Sequence, residues 1–320
     1  MSRARGKPVS RASMSAATPT HTAGGKPPAG AADPVLAELR PGQSIELLKE
    51  LHILTRDGRL NQDSRRKLKQ VGHLLQFITP ILDELSPAGA EPTLADHGAG
   101  KSYLGFMLYD GWFKGHGSGW VHGIETRPEL VQRSRALAER LGFERMRFHE
   151  LSAADAAHDA ALPAVIDVVT ALHACDSATD DAIAFGLAKQ VQAMVLVPCC
   201  QAELAARLRQ SKALQLSRTP LAELWRHPLH TREMGSQLTN VLRCLYLESQ
   251  GYAVTVTELV GWEHSLKNEL IIARFTGHRK RSAGERLRAL LGEFGLLSLL
   301  PLRYPALDVD PAPDPAAVSS

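Results

Sequence analysis

Two carboxylates and two glycines mark the stretch of this 320-residue chain whose residue types and spacing point most strongly to ligand chemistry. Residues 93 to 106 read Thr-Leu-Ala-Asp-His-Gly-Ala-Gly-Lys-Ser-Tyr-Leu-Gly-Phe. A short apolar run ends at Asp96, Gly98 and Gly100 follow at alternate positions, and a helix-like stretch begins at Lys101. This is a strand, a tight turn and a helix N-terminus, the arrangement that lets backbone come close to a bound ligand. About one βα unit later the apolar-rich run Trp120-Val121-His122-Gly123-Ile124-Glu125 ends in a second acid. Pro128 is well placed in the first turn of a helix running to about Leu141.

The details of the turn separate three classes of ligand. A phosphate-cradling loop matches at Gly100-Lys101-Ser102 but needs a glycine where the chain has Ala95. A dinucleotide fingerprint needs a third glycine where the chain has Tyr103. An acid closing the strand just before Gly-x-Gly suits S-adenosylmethionine, which carries a cationic amino group and a sulfonium and no phosphate. Glu125 is then the acid that accepts from the ribose hydroxyls. The plain alternative is that Asp96 caps a helix and Glu125 is a solvated strand end.

In an open α/β sheet a ligand lies outside the carboxyl ends of the strands. This gathers Asp96, Gly98, Gly100, Glu125 and the segment from Leu151 and Ser152 to Asp155 around one crevice, as the cofactor side. The acceptor side is then His173 to Asp176 and Pro198 to Gln201. Methyl transfer from a sulfonium needs alignment and, for some acceptors, removal of a proton. His173 is the general-base candidate because imidazole titrates near neutrality, and Asp176 would hold the acceptor or orient His173. A strand-end histidine bonded to backbone stands beside that reading.

Cys175, Cys199 and Cys200 with His173 could in principle hold zinc. Adjacent cysteines on extended backbone point to opposite faces, however, so no metal site is expected. Cys199 or Cys200 acting as a nucleophile on a pyrimidine is a further alternative, which needs a lowered thiol pKa. Small buried cysteines that let helix and cofactor approach are the expectation. Residues 263 to 268 (Glu-His-Ser-Leu-Lys-Asn) carry more polarity than a turn requires, so Lys267 and Asn268 either contact substrate or belong to a plain hairpin.

The elements that must position these residues follow from periodicity. Residues 35 to 90 read as a helical cap, with a segment from Ser64 to Leu82 capped at Asp63 or Ser64, basic at Arg65, Arg66, Lys67 and Lys69, and kinked or ended at Pro80. Beyond Glu125, strands are expected at 146–150, 166–172 and 193–197, with helices between. A helix at 234–250 and strands at 253–259 and 269–275 close the domain. Alternating β and α with a final strand pair implies a mostly parallel sheet carrying an antiparallel edge strand.

Hydrophobic content of 44% and charged content of 22% are ordinary for a globular protein. No apolar run reaches the length of a membrane span, and the N-terminus has no apolar signal core. Four cysteines without framework spacing point to a reducing compartment, hence to a cytoplasmic protein without membrane association. The net charge of +3 is uneven: residues 1 to 32 hold five cations and no acid, which leaves −2 on the rest. That arm is expected to be disordered and either to graze RNA or merely to solubilise. The Pro-, Ala- and Asp-rich end from Pro305 is expected to be loose.

The sequences Leu172-His173-Ala174-Cys175-Asp176-Ser177-Ala178-Thr179-Asp180 and Pro198-Cys199-Cys200-Gln201, downstream of Asp96-x-Gly98-x-Gly100, resemble one family. They are similar to bacterial class I S-adenosylmethionine-dependent methyltransferases related to the methyltransferase-like 25 group. The likeness takes in Arg65 to Gln70 and Glu263 to Asn268 and spans about residues 45 to 276. It departs at Leu266, where relatives are expected to have proline, and at His97, bulkier than usual for this loop. The resemblance implies a Rossmann-like α/β fold and S-adenosyl-L-methionine as cofactor. It implies a basic arm at 1–34, a helical cap at 35–90, a methyltransferase domain at 91–278, a helical extension at 279–304 and a tail at 305–320. A further likeness to tRNA 2′-O-ribose methyltransferases, in the His-x-Cys and Cys-Cys strand ends, suggests RNA, either rRNA or tRNA, as the acceptor. The competing reading is a non-catalytic methyltransferase fold that binds RNA or protein; the intact Asp96, Gly98, Gly100 and Glu125 speak against it.

Overall fold

Asn61 accepts a hydrogen bond from the Ser64 N–H at 2.8 Å and so starts a 23-residue helix, Gln62–Glu84. The cap is therefore Asn61 rather than Asp63 or Ser64, which fall inside the first turn. Val71, Leu74, Leu75, Ile78, Ile81 and Leu82 recur at helical spacing and are all buried. Pro80 does not end the helix. Its ring faces solvent, and the buried Ile81 and Leu82 hold the last turn in place across the one lost backbone hydrogen bond. Trp112 Nε1 donates to Asp83 at 2.8 Å and anchors the same turn.

This helix is α2; a short α1 (Ile45–Glu50) precedes it, so residues 45–84 are helical in two pieces rather than throughout. The remaining elements are β1 (Thr93–His97), α3 (Tyr103–Leu108), a π-helical turn (Tyr109–Phe113) leading into α4 (Lys114–His116), β2 (Trp120–Glu125), α5 (Pro128–Arg140), β3 (Met146–Glu150) and α6 (Ala153–Ala156). Then come β4 (Val168–Ala171), α7 (Ser177–Ala188), β5 (Ala193–Leu196), α8 (Glu203–Ser211), α9 (Pro228–Ser249), β6 (Tyr252–Glu258), β7 (Glu269–Phe275), α10 (Arg281–Glu293), α11 (Leu300–Arg303) and α12 (Pro305–Asp308). This computed structural model describes residues 39–40, 42–87, 89–172, 174, 176–199, 201–211, 220–259 and 269–308. The basic arm, residues 260–268 and the tail beyond 308 lie outside the described residues. Pro305–Asp308, expected to be loose, is a helical turn because Leu307 packs against the core.

The seven strands form one sheet in the order β3-β2-β1-β4-β5-β7-β6. The first five in this order run parallel, and β7 lies antiparallel between β5 and β6. The fold is a Rossmann-like α/β sheet with the antiparallel strand one in from the edge. Chain order reverses between β1 and β4, so the crevice for a ligand opens at their carboxyl ends. One sheet face, with Ala95, Ile124, Val169, Ala171, Met194 and Leu196, joins Ile183, Phe185, Leu242 and Leu287 in a single core. Arg243 of α9 is fully buried and pairs with Asp180. Helix α9 begins at Pro228, ahead of the expected start at Met234, because the fixed φ of proline suits the first helical position. No helix among the described residues is long and apolar enough to cross a membrane.

Candidate functional site

At the end of β1, Asp96 is 2% exposed. Its Oδ1 accepts from the Thr170 hydroxyl at 3.1 Å, and its Oδ2 accepts from the Ser102 hydroxyl and the Gly105 N–H, both at 3.3 Å. Burial pushes this carboxyl up to about 6, against the lowering effect of those three donors. A carboxylate that is costly to keep charged is stabilised by a cation arriving beside it. Helix α3 begins at Tyr103 rather than Lys101, and Gly105 lets its first turn close on Asp96. A Cβ there would lie 2.5 Å from Ser102 Oγ and 3.3 Å from Asp96 Oδ2. Gly105 thus supplies the close approach that a dinucleotide fingerprint assigns to its third glycine, two residues beyond Tyr103.

The turn itself has φ +64° at Gly98 and +60° at Gly100, the left-handed region that glycine enters without a Cβ clash. That geometry aims the Gly100 N–H at Glu125 Oε2, 2.7 Å away, and so ties the turn to the end of β2. Glu125 is buried as well, yet its carboxyl is held down to about 2. Burial opposes this lowering; the Arg127 side chain and N–H, and then the Gly100 N–H, produce it. Arg127 Nε lies 2.9 Å from Oε1 and Nη2 lies 3.1 Å from Oε2, a two-pronged ion pair.

His97 points to the other sheet face, its ring centroid 5.7 Å from that of Phe185. Both ring nitrogens are buried without a hydrogen-bond partner, and burial lowers the imidazole to about 4. It is a neutral, buried polar group beneath the turn.

A cavity of about 790 Å³ opens above Asp96, Gly98, Ala99 and Gly100 and extends to Leu172 at the end of β4. Its opposite wall is the first half of α2, including Arg65, Arg66, Lys67 and Lys69, and Lys101, Tyr103, Leu104 and Arg127 line the rest. Six cationic side chains therefore face this space against two carboxylates, Asp63 and Asp96, and Asp63 pairs with Lys67 at 2.9 Å. Leu151 and Ser152, at the end of β3, do not line it. The Ser152 hydroxyl caps α6 by accepting from the Asp155 N–H at 3.2 Å.

Asp176 sits at the start of α7 with φ +51°. Its Oδ1 accepts from the N–H groups of Ala202 and Glu203 at 3.1 and 3.2 Å, so it caps α8 and ties the β4 loop to the β5 loop. Behind it, Arg243 donates to both Asp180 oxygens at 2.8 Å, to the Asp176 carbonyl at 2.7 Å and to Asn240 Oδ1 at 3.1 Å. Gln201 and Glu269 bond to the same Asn240. This buried network braces the loop that carries the acceptor-side candidates. His173, Cys175, Cys200 and residues 263–268 lie outside the described residues. Cys199 is half-buried and in no disulfide. Among the described residues, no group of three or more His, Cys, Asp or Glu side chains is placed to hold a metal ion.

The structure thus brings Asp96, Gly98 and Gly100 to the cavity, joins Glu125 to them through the Gly100 N–H, and leaves Leu151 and Ser152 outside the cavity lining. Sequence spacing does not mark Thr170, Ser102, Gly105 or Arg243 as site residues. Arg127, two positions after Glu125 across a turn, is the one whose local spacing carried a signal.

Residues 66–207 match the family model described as a methyltransferase domain. No curated protein matches the sequence. Among solved structures, the chain is similar to magnesium protoporphyrin IX methyltransferase from Synechocystis PCC 6803 with bound SAH, at 13% identity and TM-score 0.40, over 72% of this chain and 93% of that one. It is also similar to an rRNA methylase from Streptococcus thermophilus, at 10% identity and TM-score 0.38, over 63% of this chain and 95% of that one. A third is TrmK of M. capricolum with S-adenosylhomocysteine, at 9% identity and TM-score 0.37, over 72% and 92%.

Proposed function

We propose that the chain is an S-adenosylmethionine-dependent methyltransferase whose acceptor is RNA, either rRNA or tRNA. One observation carries the reading. Two buried carboxylates from different strands meet at the Gly98–Gly100 turn: Asp96 on the floor of a large cavity, and Glu125 behind the turn, bonded to the Gly100 N–H. Carboxylates at this turn repel a phosphate and suit a ligand with a cationic end and a hydroxyl-bearing end. The donor set therefore fits S-adenosyl-L-methionine, which when bound supplies an electrophilic methyl carbon on a positively charged sulfur.

In this reading Asp96 balances the ligand's positive charge, and the backbone at Gly98 and Gly100 allows close approach. Glu125 takes the ribose hydroxyls, and Leu151 and Ser152, outside the cavity lining at the end of β3, are reached only by a base that extends past Glu125. His173 accepts the proton from the acceptor atom, and Asp176 orients it at the head of the loop braced by Arg243. The cationic wall of α2 favours a polyanionic acceptor, which supports RNA. The motifs at 172–180 and 198–201 support a place among the bacterial relatives of the methyltransferase-like 25 group.

Calorimetric titration of S-adenosylmethionine into wild type and Glu125→Ala tests the cofactor. Binding is expected in the wild type and weakened in the variant, by about 1.5–3 kcal/mol for hydrogen bonds to a charged group. Absence of binding in the wild type rejects the reading. Mass spectrometry of modified nucleosides, in RNA from cells with and without the gene, tests the acceptor; identical profiles reject RNA.

A further inference from the structure

The Glu125 carboxylate has no vacancy for a diol. A carboxylate offers about four acceptor positions. Here Oε1 takes the Thr126 hydroxyl, the Arg127 N–H and Arg127 Nε, and Oε2 takes the Gly100 N–H and Arg127 Nη2. Two of these donors are backbone, fixed by the turn, and one is a short hydroxyl. The guanidinium alone is carried on a long side chain, and that side chain is 58% exposed. A ribose that reaches Glu125 therefore takes the place of the Arg127 prongs.

The displaced guanidinium remains at the edge of the cavity it already lines, facing Arg65, Arg66, Lys67, Lys69 and Lys101. Of the carboxylates that line the cavity, Asp63 pairs with Lys67 and Asp96 is buried beneath the turn; Glu129, exposed in the first turn of α5, attracts Arg127 from outside the cavity and is its one nearby competitor among the described residues. A cation newly freed among cations raises the local affinity for an anion, and the two-pronged guanidinium suits a phosphate. We propose that Arg127 couples the two ligands. In the free protein it closes Glu125; when a ribose takes Glu125, Arg127 turns to a phosphate group of the acceptor. Cofactor and phosphate-bearing acceptor then bind cooperatively, each tightening the other by the same factor. The inference rests on the proposed diol-binding role of Glu125.

The test measures binding of a fluorescent single-stranded RNA oligonucleotide to the full chain at one fixed salt concentration, with and without saturating S-adenosylhomocysteine. Wild type, Arg127→Ala and Arg127→Lys are compared, and S-adenosylhomocysteine binding to each is measured separately. In the wild type the RNA should bind at least about five-fold tighter with S-adenosylhomocysteine present, the lower end of ordinary couplings. In Arg127→Ala the tightening should vanish, while S-adenosylhomocysteine binds as well or better because its competitor for Glu125 is gone. Arg127→Lys, which keeps the charge but not the fork, should keep only part of it. Adenosine monophosphate as competitor separates the sources: coupling to RNA alone assigns a phosphodiester strand, and coupling to both assigns any phosphate ester. RNA affinity unchanged by S-adenosylhomocysteine in the wild type, or coupling that survives in Arg127→Ala, overturns the inference and leaves the proposed activity standing. Failure of S-adenosylhomocysteine to bind the wild type overturns both.

Discussion

The Thr170 hydroxyl donates to Asp96 Oδ1 at 3.1 Å, across the β1–β4 pair where the order of the sheet reverses. This bond fixes the direction of a carboxylate at the floor of the cavity. It also partly offsets the burial that pushes that carboxyl up to about 6.

A cation bound beside Asp96 needs the ionised form. Affinity for S-adenosylmethionine is therefore expected to fall by about tenfold between neutral pH and one unit below the Asp96 midpoint. Thr170→Val removes a donor that lowers the midpoint, so the fall should begin at higher pH. Calorimetry across this range checks both, and a flat affinity sinks the assignment.

The same carboxyl affects stability. Its folded value, about 6, lies above the ordinary 3.8. The folded state therefore binds a proton more readily, and stability is lost as pH rises through this interval. Asp96→Asn should gain up to roughly 3 kcal/mol of stability near neutral pH, and so melt higher, while losing cofactor binding. A variant less stable than the wild type near neutral pH contradicts this.

His97 acts with the opposite sign. Held at about 4 when folded, it stays neutral where the unfolded chain protonates near 6.5, so stability is lost as pH falls through that window. Two buried ring nitrogens without partners add a cost of about 1–3 kcal/mol per group. His97→Leu should be more stable at neutral pH and should lose less stability on acidification. Chemical denaturation at several pH values decides it; parallel wild-type and mutant curves would reject the role.

Asp176 has a capping role visible in the structure and a proposed chemical one, and two variants separate them. Asp176→Asn keeps an acceptor for the Ala202 and Glu203 N–H groups and tolerates the positive φ. It should melt with the wild type yet lose methyl transfer. Asp176→Ala should also lose about 0.5–2 kcal/mol of stability. His173→Ala should keep cofactor binding and slow turnover by about 10²–10⁴-fold. Full activity in Asp176→Asn would reduce Asp176 to a helix cap.

The cationic wall of α2 should matter more for RNA than the basic arm does. The cluster from Arg65 to Lys69 is presented by a rigid helix on the cavity, whereas five cations spread over residues 1–32 pay ordering entropy on binding. Changing Arg65, Arg66, Lys67 and Lys69 to glutamine should weaken RNA binding more than deleting residues 1–32, at equal salt. The reverse ranking would move the binding surface to the arm.

The local parts of this protein were legible in its sequence. Strand, turn and helix around Asp96, Gly98 and Gly100 follow from residue spacing, and so does a second acid one βα unit on, because these features depend on neighbours within a few residues. Short apolar runs that alternate with helical segments likewise yield the strands of the sheet to within about two residues. Element ends were less legible: Asn61 caps α2 and Pro80 lies within it, since tertiary packing of Ile81 and Leu82 outweighs a local preference. What no spacing reveals is the set of partners drawn from distant segments. Thr170 meets Asp96 only through the pairing of β1 with β4, 74 residues apart. Arg243 reaches the Asp176 loop from a helix 67 residues on, and α2 becomes a wall of the cavity only when it folds over the turn. Sequence determined which groups are available and in what local geometry. Burial and long-range pairing, which arise only as the chain condenses, decided their charge, their direction and which of them share one space.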